Sequence, residues 1–147
     1  SDATPNELLE KLRPTSGIGF GGVIGIEYVD ITPDRVVASV EVGPHLHQPH
    51  GIVHGGVYCA IVEQVASVAG SGWLGGEGRV GGGNKSTDFS APHPGDTQGP
   101  RPAPGLPVPR GRSQQLWRVE ITADSGRTAA VGQVRLANLE PPAARES

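Results

Sequence analysis

The segment HGGVYCAIVEQVASVAGSGW, which runs from His54 to Trp73, decides the fold. Two sets of apolar residues recur in it at helical spacing, so at least two sides of the helix are apolar. The sets are Val57, Ile61, Val65 and Val68, and Tyr58, Val62, Ala66, Ala69 and Trp73. Because a helix that is apolar on most faces is usually buried, we predict one long buried helix. We expect it to end in the glycines Gly70, Gly72, Gly75, Gly76 and Gly78.

The sequence on both sides of this helix has the period-two pattern of β-strands. Before the helix, VIGIEYVDI and RVVASVEV within residues 22–42 predict two strands, joined by a turn at Thr32–Asp34. Further strands are predicted at Gly81–Phe89, Gln115–Ala123 and Thr128–Leu139, and a short helix at Asn6–Leu12. Strands that surround one long helix predict an α+β fold, in which an antiparallel sheet wraps the helix.

A proline-rich block between Pro92 and Pro109 interrupts this pattern with seven of the chain's fourteen prolines. Because proline has no N–H to donate to a neighbouring strand, we predict an irregular loop rather than a central strand. Either a real loop or a compensated pair of frameshifts in GC-rich DNA explains the block. We expect one domain over residues 22–139, preceded by a lead-in at 1–21 and followed by a frayed tail at 140–147.

Composition excludes several classes of function. The net charge of −3 argues against nucleic acid as a partner, and no run of 18 apolar residues predicts a membrane span. The N-terminal sequence lacks the order of a signal peptide. The single cysteine, Cys59, excludes an internal disulfide and a cysteine zinc cluster, so we expect a cytoplasmic protein. A chain of this size also gains stability by sharing surface with a second copy.

Glu63 is the most informative residue, because it lies in the middle of the apolar helix, where an ionised carboxylate is costly unless it has a partner. Ser67 follows four residues later, so the two side chains share a face and can form a hydrogen bond. One interpretation is a general base or nucleophile in a pocket. The other is a solvent-exposed glutamate at a helix edge, and the pattern alone does not favour either.

The start of the helix, His54-Gly55-Gly56, is a second candidate. Two glycines allow close approach to the backbone, and the N–H groups and dipole of a helix N-terminus can stabilise an oxyanion. An ordinary glycine-rich helix start is the simpler interpretation. The combination of this helix start with a carboxylate is a more specific signal, because His54 lies nine residues before Glu63.

The loop before the helix also carries polar candidates. Its histidines, His45, His47, His50 and His54, are weak evidence for a metal site, because no Asp, Glu or Cys lies near them in the sequence. We therefore predict no metal. Gln48 can donate a hydrogen bond to a carbonyl, or be an ordinary loop residue.

The segment QPHGIVHGGVYCAIVEQVAS resembles the signature of hotdog-fold thioesterases of the phenylacetyl-CoA and 4-hydroxybenzoyl-CoA thioesterase type. The matching residues are Gln48, His54-Gly55-Gly56, Glu63 and Ser67, and the resemblance covers roughly residues 22–139. It implies that the Gly55 N–H polarises a thioester carbonyl, supported by Gln48 and His54. It further implies that Glu63 attacks or activates water, oriented by Ser67. No cofactor is implied beyond the CoA of the substrate.

The resemblance also implies an assembly and a CoA site. Protomers pair their sheets edge to edge as a homodimer or homotetramer, with active sites at the interface. The CoA nucleotide end lies at the positions that match Gly81, Asp88, Phe89, Ser90, Ala91, Pro109, Arg110, Gly111, Arg112, Ser113 and Gln114. The arginines suit phosphate because guanidinium groups donate several hydrogen bonds. The family expects a strand, a short turn and a strand between Phe89 and Arg110, and the proline-rich block departs from that pattern.

Two other functions remain open. A hotdog hydratase or dehydratase also uses an acid on the helix, but pairs it with a histidine from another element, for which His50 is the candidate. A non-catalytic acyl-CoA-binding protein is the other alternative. It predicts ligand binding without turnover.

Overall fold

The computed structural model describes residues 5–12, 14, 17–74, 79–89, 100–101, 103–110, 113–123 and 125–139. The helices are α1 (Pro5–Leu12), α2 (Gly19–Ile24) and α3 (Gly55–Trp73), with a short 3-10 turn at Pro44–Leu46. The strands are β1 (Ile26–Thr32), β2 (Arg35–Val40), β3 (Arg79–Phe89), β4 (Pro100–Arg101), β5 (Ala103–Arg110), β6 (Gln114–Ala123) and β7 (Thr128–Leu139). The expected tail at 140–147 lies outside the described residues.

All the strands belong to one antiparallel sheet, in the order β1-β2-β5-β6-β7-β3, with β4 paired to β6. Helix α3 packs on this sheet and contacts β1, β2, β3, β5, β6 and β7. Its buried residues include Val57, Ile61, Val62 and Val65, which meet Trp117, Val119 and Leu136 of the sheet in one apolar core. The prediction of an antiparallel sheet around one long helix is therefore confirmed.

Two glycines let α3 lie close to the sheet. A Cβ at Gly70 would lie 2.5 Å from Cδ1 of Leu136, and a Cβ at Gly132 of β7 would clash with Val62. The prediction that Gly70 and Gly72 act as helix stops is wrong, because both lie inside α3 and are buried. At Gly70 the absence of a side chain serves packing rather than termination.

A buried amide connects the helix to two strands. Gln115 of β6 is 1% exposed; its Nε2 donates to the Gly70 carbonyl at 3.3 Å and to Oδ1 of Asn138 at 2.7 Å. Its Oε1 accepts from Nε1 of Trp117 at 2.8 Å. Because each polar atom of the Gln115 side chain has a partner, the amide is tolerated inside an apolar core.

The first strand was predicted to start at Val23, and this start is wrong. Residues 19–24 form α2 instead, and Gly25 ends that helix in the left-handed conformation, with φ of +82°, before β1 begins. The alternation of apolar residues continues through both elements, so the pattern by itself does not mark where α2 ends.

The prediction of an irregular loop over residues 92–109 is wrong for its described second half. Residues 103–110 form β5, which lies inside the sheet between β2 and β6. An extended backbone is compatible with the fixed φ of proline, so each proline costs the strand only its backbone N–H donor to the neighbouring strand. The ladder is correspondingly incomplete, because β5 pairs with β2 at three positions only and its register with β6 shifts between Pro107 and Arg110. Residues 90–99 and 102 lie outside the described part of the chain.

Candidate active site

The face of α3 turned away from the sheet lines a cavity of about 720 Å³. Its helical wall includes Gly56, Cys59, Glu63, Gln64, Ser67 and Ser71. The opposite wall comes from Leu8, Lys11 and Leu12 of α1, with Phe20 of α2 and Ile31 of β1. The volume suits a small-molecule site, and the walls combine apolar surface with a few polar groups, which is usual for such sites.

Glu63 and Ser67 line this cavity together, one helical turn apart, as their spacing predicts. The sequence left open whether Glu63 lies in a pocket or is a solvent-exposed residue at a helix edge; in the single chain its side chain lines the cavity and is exposed. The reason is that α3 is apolar on more faces than the sheet covers, so one face stays open. A ligand or a second protein chain can therefore reach the carboxylate.

His54 caps the N-terminus of α3 with its own side chain. It has extended backbone angles, and its Nδ1 accepts the Gly56 N–H at 2.8 Å. Its carbonyl accepts the Val57 N–H at 2.9 Å. His54 therefore takes two of the first helical N–H groups and does not take that of Gly55. The N–H of Gly55 lies at the positive end of the helix dipole, where a developing oxyanion is stabilised.

The loop before α3 is tightly held and brings Gln48 to this end of the helix. The Gln48 N–H donates to the Ile52 carbonyl at 2.8 Å, and the His54 N–H donates to the Leu46 carbonyl at 2.9 Å. The Oε1 of Gln48 accepts from the His50 N–H. This contact identifies the oxygen of the amide, and the Nε2 group is the donor that can serve a carbonyl.

The loop histidines do not form a cluster of metal ligands. Across the parts of the chain that the structure describes, no three His, Cys, Asp or Glu side chains are grouped so that they could hold a metal ion. His54 is the helix cap, whereas His50 is exposed in the turn. His47 is partly buried, with its Nε2 atom enclosed.

The residues predicted to bind CoA separate into two groups in the single chain. Gly81 and Gln114 pair with the same residue of β7, Ala137, from opposite sides, and Ser113 accepts a backbone hydrogen bond from Asn138 at 2.8 Å. Arg110 lies near this end as well, because it pairs with Gln115.

The second group lies at the far end of β3. Asp88 and Phe89 pair with Val131 and Ala130. Seven residues along a strand separate Asp88 from Gly81 by about 23 Å. Pro109 is a residue of β5, while Ser90, Ala91, Gly111 and Arg112 lie outside the described residues. One chain therefore does not bring the described members of this set together.

Several residues around the cavity were missed by the sequence reasoning. Lys11 and Phe20 reach it only because α1 and α2 fold back over α3. Gln64 gave a signal, since it is a polar side chain in an apolar helix. Tyr28 lies behind it, and burial raises the pKa of Tyr28 to about 12, partly opposed by the nearby Gln64 amide.

One long helix on a seven-stranded antiparallel sheet defines the hotdog fold, which solved thioesterase structures share. The chain is 43% identical over 126 residues to the Mycobacterium tuberculosis protein Rv1847, which carries the name of an esterase; the match covers 84% of this chain and 88% of that one. It is 32% identical over 130 residues to the proofreading thioesterase EntH of Cronobacter turicensis, covering 88% and 92%.

Among solved structures, S. sahachiroi AziG is 47% identical and superposes with a TM-score of 0.77, over 84% of this chain and 98% of that one. No protein-family model matches the sequence. The chain belongs to the hotdog-fold thioesterase family and is a thioester hydrolase. The resemblance of the helix signature to this family is thereby confirmed. Among the described helices, none has the length and apolar character that crossing a membrane requires.

Proposed function

We propose that the protein hydrolyses acyl-CoA thioesters to a free acid and CoA, with Glu63 as the catalytic carboxylate. The observation that supports this most is the exposed position of Glu63, on the long helix of a thioesterase fold, in a cavity whose opposite wall is apolar apart from Lys11. The carboxylate is accessible to substrate and water. The acyl group lies against the apolar wall, where its transfer from water is favourable.

The carbonyl is polarised at the start of a helix. The N–H of Gly55 donates to the thioester oxygen and stabilises the negative charge that develops there, and the Gln48 amide supports the same oxygen. In the general-base route, Glu63 takes a proton from water as the oxygen of that water attacks the carbonyl carbon. The C–S bond then breaks, and the CoA thiolate takes up the proton. In the nucleophilic route, the carboxylate attacks the carbonyl carbon, the C–S bond breaks with release of the CoA thiolate, and water then hydrolyses the resulting anhydride.

The helix start and the carboxylate that serve one substrate come from different protomers. Eight residues separate Gly55 from Glu63 along α3, which places them roughly 12 Å apart along the axis and about 80° apart around it. A carbonyl group must lie about 3 Å from both its donor and its attacking atom. Although the Glu63 side chain tilts towards the helix N-terminus, the gap between its carboxylate and the Gly55 N–H of the same chain is too wide for one carbonyl group. This supports a homodimer, or a homotetramer built from such dimers, with the active site at the interface.

The same arrangement gives CoA a place to bind. The two groups of predicted CoA residues lie at opposite ends of β3, which is an edge strand of the sheet in the single chain. Edge-to-edge pairing of two protomers places one group of each chain next to the other group of its partner. The family resemblance assigns Arg110 and Arg112 to the CoA phosphates, to which guanidinium groups donate several hydrogen bonds. The reaction needs no cofactor, because CoA is part of the substrate.

The hydratase alternative has less support. It requires a histidine beside the acid, whereas relatives that are 43% and 32% identical carry the names of an esterase and a thioesterase. The proposal is tested by measuring thiol release from a panel of aromatic and aliphatic acyl-CoA substrates.

We expect Glu63→Ala to lower turnover by roughly 100-fold or more, because it removes the acid–base group. Glu27→Ala, which makes the same change at an exposed position of β1, is the matched control and should retain activity. Folded protein that releases no thiol from any substrate would contradict the proposal. Hydration of an enoyl-CoA without thiol release would instead support the hydratase, and binding alone the non-catalytic alternative.

A further inference from the structure

The cavity beside α3 carries one positive charge on its outer wall. Among the described residues that line the cavity, Lys11 is the only cation, and it shares a face of α1 with Leu8 and Leu12. A basic residue in the last turn of a helix stabilises the helix dipole, but that role does not require a side chain that lines a cavity. A cation in a wall that is otherwise apolar is well placed to bind an anionic group of a ligand.

Two contacts show where Lys11 lies along α3. A Cβ at Gly72 would lie 3.8 Å from Cδ1 of Leu8. Nearer the start of α3, the amide of Gln64 rests against α2 at Gly21, where any Cβ would clash with it. The chain from α1 to α2 therefore runs back along α3, from Gly72 towards Gln64. Because Lys11 is three residues past Leu8, roughly 4.5 Å further along α1, it lies beside about residue 69 of α3.

This position sets a distance from the reacting carbon. Residue 69 lies about 9 Å from Glu63 along the helix axis, so the ammonium lies roughly 6–9 Å from a carbonyl carbon held beside that carboxylate. An extended carbon chain advances about 1.25 Å per bond, so an anion about five to seven bonds from the carbonyl reaches Lys11. The hydroxyl of Ser71, which lines the cavity one turn after Ser67, is a second donor near this point.

The charges in the cavity admit an anion at this point. Glu63 repels it, but Coulomb energy falls with distance, so repulsion at about 8 Å is roughly half of the attraction to an ammonium at about 4 Å. The same part of the cavity includes Ile31 of β1, at the opposite edge of the sheet from β3, where CoA is proposed to bind. The anion therefore belongs to the acyl group rather than to the phosphates of CoA.

We propose that Lys11, assisted by Ser71, is a specificity-determining residue that binds the terminal carboxylate of a dicarboxylic acyl group with the length of adipoyl to suberoyl. This inference rests on the proposed thioesterase reaction and names a class of substrate for it. An apolar acyl chain of the same length makes no use of the ammonium. Without Lys11, the carboxylate would enter an apolar wall with no charged partner, which is unfavourable.

The test compares two matched pairs of substrates, adipoyl-CoA with hexanoyl-CoA and suberoyl-CoA with octanoyl-CoA. We expect the wild-type protein to have a kcat/KM for at least one dicarboxylic substrate that is no lower than for its apolar counterpart. Lys11→Met should lower the ratio of these two values by about 5-fold or more, and Lys11→Glu should lower it further. Arg127→Met removes a positive charge at an exposed position just before β7 and is the control, which should leave the ratio unchanged.

Other roles of Lys11 give a different result. If its ammonium contacts the CoA phosphates or pairs with Glu63, Lys11→Met lowers the kcat/KM of all four substrates alike and leaves both ratios unchanged. That outcome would overturn the inference. A wild-type protein that prefers the apolar substrate in both pairs would overturn it as well.

Binding of CoA thioethers separates this inference from the proposed function. S-hexyl-CoA and S-octyl-CoA, with their counterparts S-(5-carboxypentyl)-CoA and S-(7-carboxyheptyl)-CoA, match the four substrates in length but have no thioester to cleave. We expect calorimetry to show that the wild-type protein binds a carboxylated thioether at least as tightly as its apolar counterpart, and that Lys11→Met loses about 5-fold or more of this relative affinity. This result supports the inference even if no thioester is hydrolysed. Tighter binding of the apolar thioether at both lengths, or the same relative affinity in both proteins, would contradict it.

Discussion

Two variants that are each inactive should regain activity when they share one oligomer. Glu63→Ala removes the carboxylate, and Gln48→Ala removes the amide that supports the carbonyl at the helix start. The roughly 12 Å of helix between Gly55 and Glu63 predicts that each active site combines the carboxylate of one chain with the helix start of the other. A mixed dimer of the two variants therefore contains one intact site and one site that lacks both groups.

The size of the effect follows from counting sites. Random assembly of equal amounts of the two variants gives half of the dimers as mixed dimers, each with one of its two sites intact. We expect about a quarter of wild-type activity for the unseparated mixture and about half for isolated mixed dimers, against losses of about 100-fold or more for each variant alone. The assay is thiol release from an acyl-CoA that the wild-type protein cleaves, after the chains have been co-expressed with two different affinity tags so that mixed oligomers can be isolated.

A second mixture controls for the interpretation. Wild-type chains combined with chains that carry both substitutions should retain about a quarter of the activity if sites are shared, but about half if each chain holds a complete site. Isolated mixed dimers of the single variants that stay as inactive as their parents would refute the shared site. The helix start and Glu63 would then have to act within one chain, or only one of them would act.

Two further predictions concern the fold. Gly70→Ala should lower the free energy of unfolding by about 1–3 kcal/mol, because its Cβ would lie 2.5 Å from Leu136. The control Gly82→Ala, whose Cβ meets nothing within 4 Å, should change the free energy of unfolding little. Denaturant unfolding measures both variants, and equal effects would contradict the close packing of α3 on the sheet. The pKa of Tyr28 is about 12 in the folded protein and about 10 in the unfolded chain. The stability that comes from keeping this phenol neutral is therefore complete below pH 10 and is lost as pH rises towards 12. The loss is about 2–3 kcal/mol. Tyr28→Phe should show a smaller fall in stability over this range, and an identical fall would argue against burial of the phenol.

The elements with strong periodicity were predictable from sequence. The bounds of α3 agree with the prediction to within one residue, and β6 and β7 agree similarly, because each of them has a buried face whose period identifies the element. The Asn6–Leu12 helix is also confirmed as α1. The spacing of Glu63 and Ser67 placed both side chains on one face, and the structure places both at the cavity.

What sequence reasoning missed depends on contacts between distant segments. Nothing local shows that α1 and α2 fold over α3, so the wall that carries Lys11 and Phe20 could not be predicted. Whether Glu63 is exposed could not be decided from the sequence, because an apolar helix does not reveal how many of its faces the sheet covers. Strand β5 was missed because proline content argues against a strand, although its extended backbone angles are compatible with one.

The buried amide of Gln115 has a consequence for which alternative structures the chain avoids. An apolar helix on an apolar sheet can slide along it at small cost, because contacts between similar side chains are replaced by others like them. Hydrogen bonds are directional, and Gln115 has partners on α3, β6 and β7 at the same time. A slip of one residue in β6 would leave the amide in the core without them and would turn its neighbours to the wrong face. A single polar side chain therefore favours one alignment of α3 with the sheet. That alignment also sets the distance between the N-terminus of α3 and the edge strand β3.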